Sequence, residues 1–280
     1  MSDNEIRLVV FGGTGEGKTS FVVSATGAPL EIGDDADSCT QEVQTGSVTV
    51  GSKTVTIIDT PGFDDTEGKD MKIFEKLTDW LEKLRAQGKY LNGVILVQSV
   101  NHARAPDSER KRTRLLKKII GEPFYNRVAI VTTMWDVTRP SVCERGEQNR
   151  GSRDIWGDML AAGAKVFRFQ NDKQSALEVI CHYTENPSFA VPAPTLLQDE
   201  LVANNGVVKN TSAAAQFKAD VAGKAQELED TLGNMEDNDE VKEVRDYIET
   251  SRNWLEVLAV IVVPILGKVV IEAAKSCAIM

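Results

Sequence analysis

GGTGEGKTS, running from Gly12 to Ser20, has the spacing G-x-x-x-x-G-K-T of a phosphate loop. The stretch before it, Ile6–Phe11 (IRLVVF), is short, apolar and β-branched, as a buried strand is. The stretch after it, KTSFVVSAT, has the composition of the first turns of a helix. Strand, glycine loop and helix is the setting the pattern requires. Glycines let consecutive backbone N–H groups turn inward with no Cβ in the way, and with the helix N-terminus they form an anion nest. Gly12, Gly13, Thr14, Gly15, Glu16 and Gly17 would supply that backbone, with Ser20 closing the first turn. Lys18 is expected to reach the β- and γ-phosphates, and the Thr19 hydroxyl to ligate Mg²⁺. The dinucleotide fingerprint G-x-G-x-x-G fails, because counted from Gly13 and Gly15 its third glycine falls at Lys18. Glu16 is an unusual anion for such a loop and is expected to point to solvent.

Composition bounds the setting. The chain has 280 residues, a formal net charge of −10 and a pI near 4.9. That balance excludes nucleic acid as an expected partner, since clustered Lys and Arg are what such binding needs. Cys39, Cys143, Cys181 and Cys277 are far apart and lack metal spacing, which fits a reducing compartment. The polar, acidic start MSDNEIRL predicts no secretory signal.

Short apolar runs alternate with helical patterns up to about Thr184. Strands are predicted at Ile6–Phe11, Val43–Val50, Thr54–Ile58, Gly93–Gln98, Arg127–Thr132 and Lys165–Phe169. Helices are predicted at Lys18–Thr26, Lys69–Gln87, Asp107–Ile120, around Gly151–Ala162 and at Lys173–Tyr183. This alternation predicts an α/β fold with a mainly parallel sheet and helices on both faces. The Gly51-Ser52 turn predicts one antiparallel edge hairpin. Pro187, Pro192 and Pro194 mark a semi-rigid linker, and an Ala/Glu/Asp/Lys-rich helical region follows from about Thr195, with a helix stop at Asn204-Asn205-Gly206. The expected layout is a G domain at 1–185, a linker at 186–194, a helical region at 195–253 and an apolar tail at 254–280.

Two further elements point to the phosphates. TIIDTPG (Thr56–Gly62) places Asp-x-x-Gly at a strand end, where Asp59 can hold a water on Mg²⁺ and the Gly62 N–H can meet the γ-phosphate. Thr40, just before a strand, is the candidate to complete the Mg²⁺ shell. The base reader is VAIVTTMWD, which ends in Thr133-x-x-Asp136. Guanine presents N1–H and N2–H₂ as adjacent donors that one carboxylate accepts, whereas adenine presents an acceptor at N1. Asp136 therefore selects GTP over ATP. Met134 stands where a lysine is usual and can only pack its stem on the purine. Asn171, with Gln170 next, is the candidate to close over the base.

Gly12–Ser20, Ser38-Cys39-Thr40, DTPGFDDT (Asp59–Thr66), Thr133–Asp136 and FRFQN resemble the G domains of the immunity-associated nucleotide-binding GTPases of the avirulence-induced type. That group is related to septins and chloroplast-import GTPases. The resemblance covers roughly Ile6–Tyr183 and implies a P-loop GTPase (Ras-like) sheet, GTP/GDP and Mg²⁺ as ligands, and nucleotide-dependent pairing of G domains face to face. It also implies catalytic help across that interface. VNHARAPDS (Val100–Ser108) lies where the family carries an arginine, so Arg104 is the candidate finger acting in trans, with His102 the weaker alternative. Phe63 replaces the glutamine that many small GTPases use to orient water, so a monomer should hydrolyse GTP slowly. Two function classes stay open: a GTPase switch, and a nucleotide-gated scaffold that barely hydrolyses GTP.

The tail carries two membrane signals. Cys277-Ala278-Ile279-Met280 fits a farnesyl-type C-a-a-X box, and Val257–Gly267 is apolar, bounded by Glu256 and Lys268 and broken by Pro264. A span needs about 20 apolar residues. A peripheral, farnesylated tail on a cytosolic G domain is therefore expected, with a tail-anchored span or a core helix as the alternatives.

Overall fold

The computed structural model describes residues 4–29, 44–63 and 69–232, together with 242, 245, 246, 248 and 249. Thr40 and the tail with Val257–Gly267 and Cys277 lie outside the described residues. The chain divides into two compact units: 1–64 with 90–195, and 65–89 with 196–280.

The first unit is built on a six-stranded sheet in the order β2-β3-β1-β4-β5-β6. Its strands are β1 Glu5–Phe11, β2 Gln44–Val50, β3 Lys53–Asp59, β4 Gly93–Ser99, β5 Val128–Thr133 and β6 Lys165–Arg168. β1, β3, β4, β5 and β6 run parallel, and β2 pairs antiparallel with β3 at the edge. Gly51, with φ of 60°, makes the tight turn of that hairpin. Central strands of a parallel sheet are covered on both sides, which is why β4 (GVILVQS) and β5 (VAIVTT) are almost continuously apolar.

Alternate strand residues feed two cores. On one face Leu8, Val10, Val55, Ile57, Ile95, Val97 and Val131 pack with helices α1 (Lys18–Thr26) and α6 (Lys173–Glu185). The other face carries Val94, Leu96 and Gln98, and here Gln98 donates to Thr113 of helix α3 (Asp107–Ile120) and accepts from the buried Trp156 indole. Each fully buried Val, Leu or Ile contributes about 1.5–3 kcal/mol relative to exposure. Tyr183 locks α6 down: its hydroxyl has the carbonyls of Val94 and Arg127 at 2.9 and 3.0 Å as acceptors for its one proton. A Cβ at Gly93 would stand 2.1 Å from the Tyr183 ring, so only glycine fits there.

Helix α4 (Pro140–Arg150) was not predicted. Its sequence, PSVCERGEQNR, turns only Cys143, Gly146 and Arg150 inward, so it shows no apolar period. Pro at the first position was its one legible signal. A π-helical turn (Arg153–Gly157) and a short helix α5 (Asp158–Ala161) follow.

The proline-containing segment is bonded to the first unit rather than hanging free. Asn92 donates to the Phe189 carbonyl at 2.7 Å, Arg127 donates to Val191 O at 2.9 Å, and Ala193 bridges Leu91. The second unit contains α2 (Lys69–Ala86), α7 (Leu196–Ala203) and α8 (Ser212–Leu232). Within it Phe74 stacks on Phe217 at 5.6 Å, and Gln198 donates to Leu81 O at 2.8 Å. α7 ends at the predicted stop, with Asn205 and Gly206 at φ of 53° and 80°. Among the described residues no helix is long and apolar enough to cross a membrane.

Candidate functional site

The loop between β1 and α1 is shaped by close approach. Gly15 and Gly17 take φ of 73° and 91°, which turns successive N–H groups to one side. A Cβ at Gly12 would meet Val97 O at 2.4 Å. Lys18 is buried and its Nζ donates to Gly13 O at 2.8 Å, so the ammonium lies along the loop it is expected to serve. Ser20, half-buried, sits in the first turn of α1.

Glu16 does not point to solvent. It is 7% exposed; one carboxylate oxygen accepts the Gly13 N–H at 2.7 Å and the other pairs with Arg112 of α3. Arg112 supplies the countercharge that makes burial of the anion tolerable. Sequence reasoning missed this because the partner lies 96 residues away.

Thr19 and Asp59 meet. The Thr19 hydroxyl donates to Asp59 Oδ2 at 2.7 Å, while the buried Asp59 Oδ1 has no hydrogen-bond partner. Burial pushes the Asp59 carboxyl above its ordinary value, against the Thr19 hydrogen bond and the Lys18 charge. One hydroxyl and one carboxylate, the latter with an orphaned oxygen, are hard donors, and the pair fits Mg²⁺. Gly62 lies against the phosphate loop: a Cβ there would stand 2.5 Å from Thr14 Oγ1 and 2.6 Å from Thr14 N. The Phe63 N–H donates to Gly12 O at 3.3 Å, and the Phe63 ring is buried 4.9 Å from Phe11.

The base end assembles from β5 and the loop after β6. Asn171, at φ of 58°, donates to Asp136 Oδ2 at 3.4 Å, and both side chains are exposed. Thr133 is buried, and its hydroxyl donates to Glu16 O at 2.8 Å, so it ties the base motif to the phosphate loop. Met134 takes a left-handed φ of 70°, uncommon for an unbranched apolar residue. The Gln170 N–H donates to Ser175 Oγ at 3.0 Å. Trp135 is an unforeseen member of this end. Its indole N–H donates to Thr132 Oγ1 at 3.0 Å, and the Arg168 guanidinium lies 4.2 Å from its ring. Arg168 is oriented in turn by a forked pair with Glu147.

Arg104 and His102 are both exposed in the loop after β4. Helix α4 holds that loop: Asn149 donates to Ala103 O at 2.7 Å, and Arg150 to His102 O at 2.9 Å. Arg150 also makes a forked, buried pair with Glu109, both bonds 2.7 Å. Burial pushes the Glu109 carboxyl up, and Arg150 acts against that shift.

GTP-binding protein A of Dictyostelium discoideum is 27% identical over 167 residues, which is 59% of this chain and 36% of that protein. A probable FAD-binding monooxygenase of Aspergillus luteorubrus is 27% identical over 147 residues, 51% of this chain and 30% of that protein. The chain thus spans about a third of the length of these curated relatives. Among solved structures, Toc33 from Arabidopsis thaliana in complex with Mg²⁺ and GMPPNP aligns at 18% identity and a TM-score of 0.49, over 60% of this chain and 72% of that one. The cytosolic domain of the T. maritima FeoB iron transporter aligns at 16% identity and a TM-score of 0.42, over 91% of this chain and 98% of that one. The AIG1 family model matches residues 6–145, half of the 280 residues, in agreement with the resemblance seen in the sequence, and the chain belongs to the AIG1 family.

Proposed function

We propose that the chain is a guanine-nucleotide-binding switch whose G domains pair when GTP is bound. The observation that carries this reading is the Thr133–Glu16 hydrogen bond, which fastens the base end to the phosphate loop, with Asp136 and Asn171 close together at that end. Asp136 would accept the guanine N1–H and N2–H₂, and Asn171 would border the base. Lys18 and the loop amides would neutralise the phosphate oxygens. Thr19 and Asp59 would hold Mg²⁺, with Thr40 as the further candidate ligand; the ion would supply charge neutralisation to the phosphates.

Hydrolysis by a single copy is expected to be slow. Phe63 is buried against Phe11 and offers no group to orient a water. Arg104, exposed on a loop braced by α4, is available to a second copy. The second reading, a nucleotide-gated scaffold with negligible turnover, is favoured by the same burial of Phe63. Titration with GTP, GDP and ATP, with molecular size measured in each state, tests the proposal. Equal binding of ATP and GTP overturns it, and a GTP-bound protein that stays monomeric at high concentration overturns the pairing. Attachment to a membrane surface through Val257–Met280 is the remaining part of the proposal and rests on sequence alone. Cys277→Ser should move the protein to the soluble fraction, and retention through alkaline carbonate would favour a span.

A further inference from the structure

A carboxylate buried directly behind an anion nest is an electrostatic liability. Glu16 occupies that place, its Oε2 accepting the Gly13 N–H at 2.7 Å, while Lys18 donates to the carbonyl of the same Gly13 at 2.8 Å. The Gly13 residue is thus held from both ends. Arg112 comes from α3, on the side of the loop where a Gly13 Cβ would lie: its Cζ and one terminal nitrogen are each 2.7 Å from that position. The side chains of Arg112 and Glu16 are 12% and 10% exposed, so water screens the pair little. The neighbouring Glu109 is engaged by Arg150, with side chains 2% and 1% exposed respectively, and so does not take Arg112 from Glu16 by a bonded contact.

We propose that Glu16 and Arg112 are positioning residues of the phosphate site: Glu16 fixes the Gly13 peptide, and Arg112 cancels the Glu16 charge so that the nest stays attractive to a polyphosphate. The inference rests on the reading that this loop holds a nucleotide. It also explains a glycine at Gly13 that the G-x-x-x-x-G-K-T spacing does not demand, since any side chain there would enter the Arg112–Glu16 pair. The charges act at short range in a poorly screened place, so their effect should grow with the number of phosphates on the ligand.

The test is competition of GMP, GDP and GTP against a fluorescent GDP on the full chain, comparing wild type, R112M, E16Q and E16Q/R112M. R112M leaves an uncompensated carboxylate behind the nest, so its preference for GTP over GMP should fall by on the order of tenfold. E16Q leaves the Arg112 cation in place, and its amide oxygen can still accept from Gly13, so the same preference should rise. The double variant should return toward wild type. A packing role alone predicts losses of one sign in both single variants and no rescue, and that result overturns the inference. If R112M does not fold, E16Q decides alone: an unchanged or reduced preference for GTP overturns the proposal. Wild type that binds none of the three ligands overturns the nucleotide reading itself, whereas wild-type binding with unshifted variants overturns only the role of the pair.

Discussion

At the scale of single residues, the site is defined by what each side chain can accept or donate. Asp136 is exposed beside Asn171, which donates to its Oδ2 at 3.4 Å, and in the proposed reading its carboxylate accepts from a purine edge. Asp136→Asn should move preference from guanine to xanthine nucleotides by several kcal/mol at most, measured by competition between GTP and XTP. Unaltered GTP preference in that variant would remove Asp136 from the base site. Asp59 gives a prediction of two opposite signs. Burial raises its carboxyl, so the native state holds the proton more tightly than the unfolded chain does. Its contribution to stability is therefore favourable at low pH and lost as pH rises through the raised value. Asp59→Asn removes that penalty at neutral pH. The nucleotide-free variant should melt at a higher temperature than wild type, while tightening of nucleotide binding by Mg²⁺ disappears. A lower melting temperature would show that the carboxylate is worth more to the fold than its burial costs.

At the scale of elements, legibility followed apolar pattern. The six strands were predicted close to their observed limits: the central β1, β4 and β5 as buried, nearly continuous apolar runs, and the antiparallel edge strand β2 by its Gly51-Ser52 turn. Helix α4 was invisible because what it turns inward is a cysteine, a glycine and an arginine, chosen for contact with a loop rather than for a core. A Cβ at Gly146 would stand 2.7 Å from His102 O, so the missing side chain is what lets α4 reach the loop that bears Arg104. Glu16 was misjudged for a related reason: nothing local announces a partner on α3. Helix α6 contributes a pH dependence. His182 packs among Phe167, Tyr183 and Phe189, and burial, helped by Lys165, holds its imidazole below the ordinary 6.5. A base with a depressed native value binds fewer protons folded than unfolded, so stability is lost as pH falls below about 6.5. His182→Leu should flatten the fall in melting temperature between neutral pH and about pH 5. An unchanged slope would assign acid sensitivity to other groups.

At the scale of the whole molecule, the first unit brings the residues proposed for phosphate, Mg²⁺ and base to the C-terminal ends of its parallel strands, where open α/β sheets bind ligands. Among its described residues, Phe63, which directly follows the Asp-x-x-Gly stretch, is buried and carries no group that could orient a water. Specific GTPase activity should therefore rise with protein concentration, and Arg104→Ala should flatten the rise while leaving GDP affinity unchanged. Turnover independent of concentration in wild type would leave Arg104 as a surface residue and favour the scaffold reading. One last consequence belongs to Trp135. Its indole is pinned by a hydrogen bond, faced by a guanidinium and placed one residue before Asp136, whereas Trp156 is shut inside the core. The molecule thus carries its own optical gauge: of its four tryptophans Trp135 is the one next to Asp136, so in the proposed reading a purine entering there should shift the colour of its light, and occupancy can be followed in unlabelled protein.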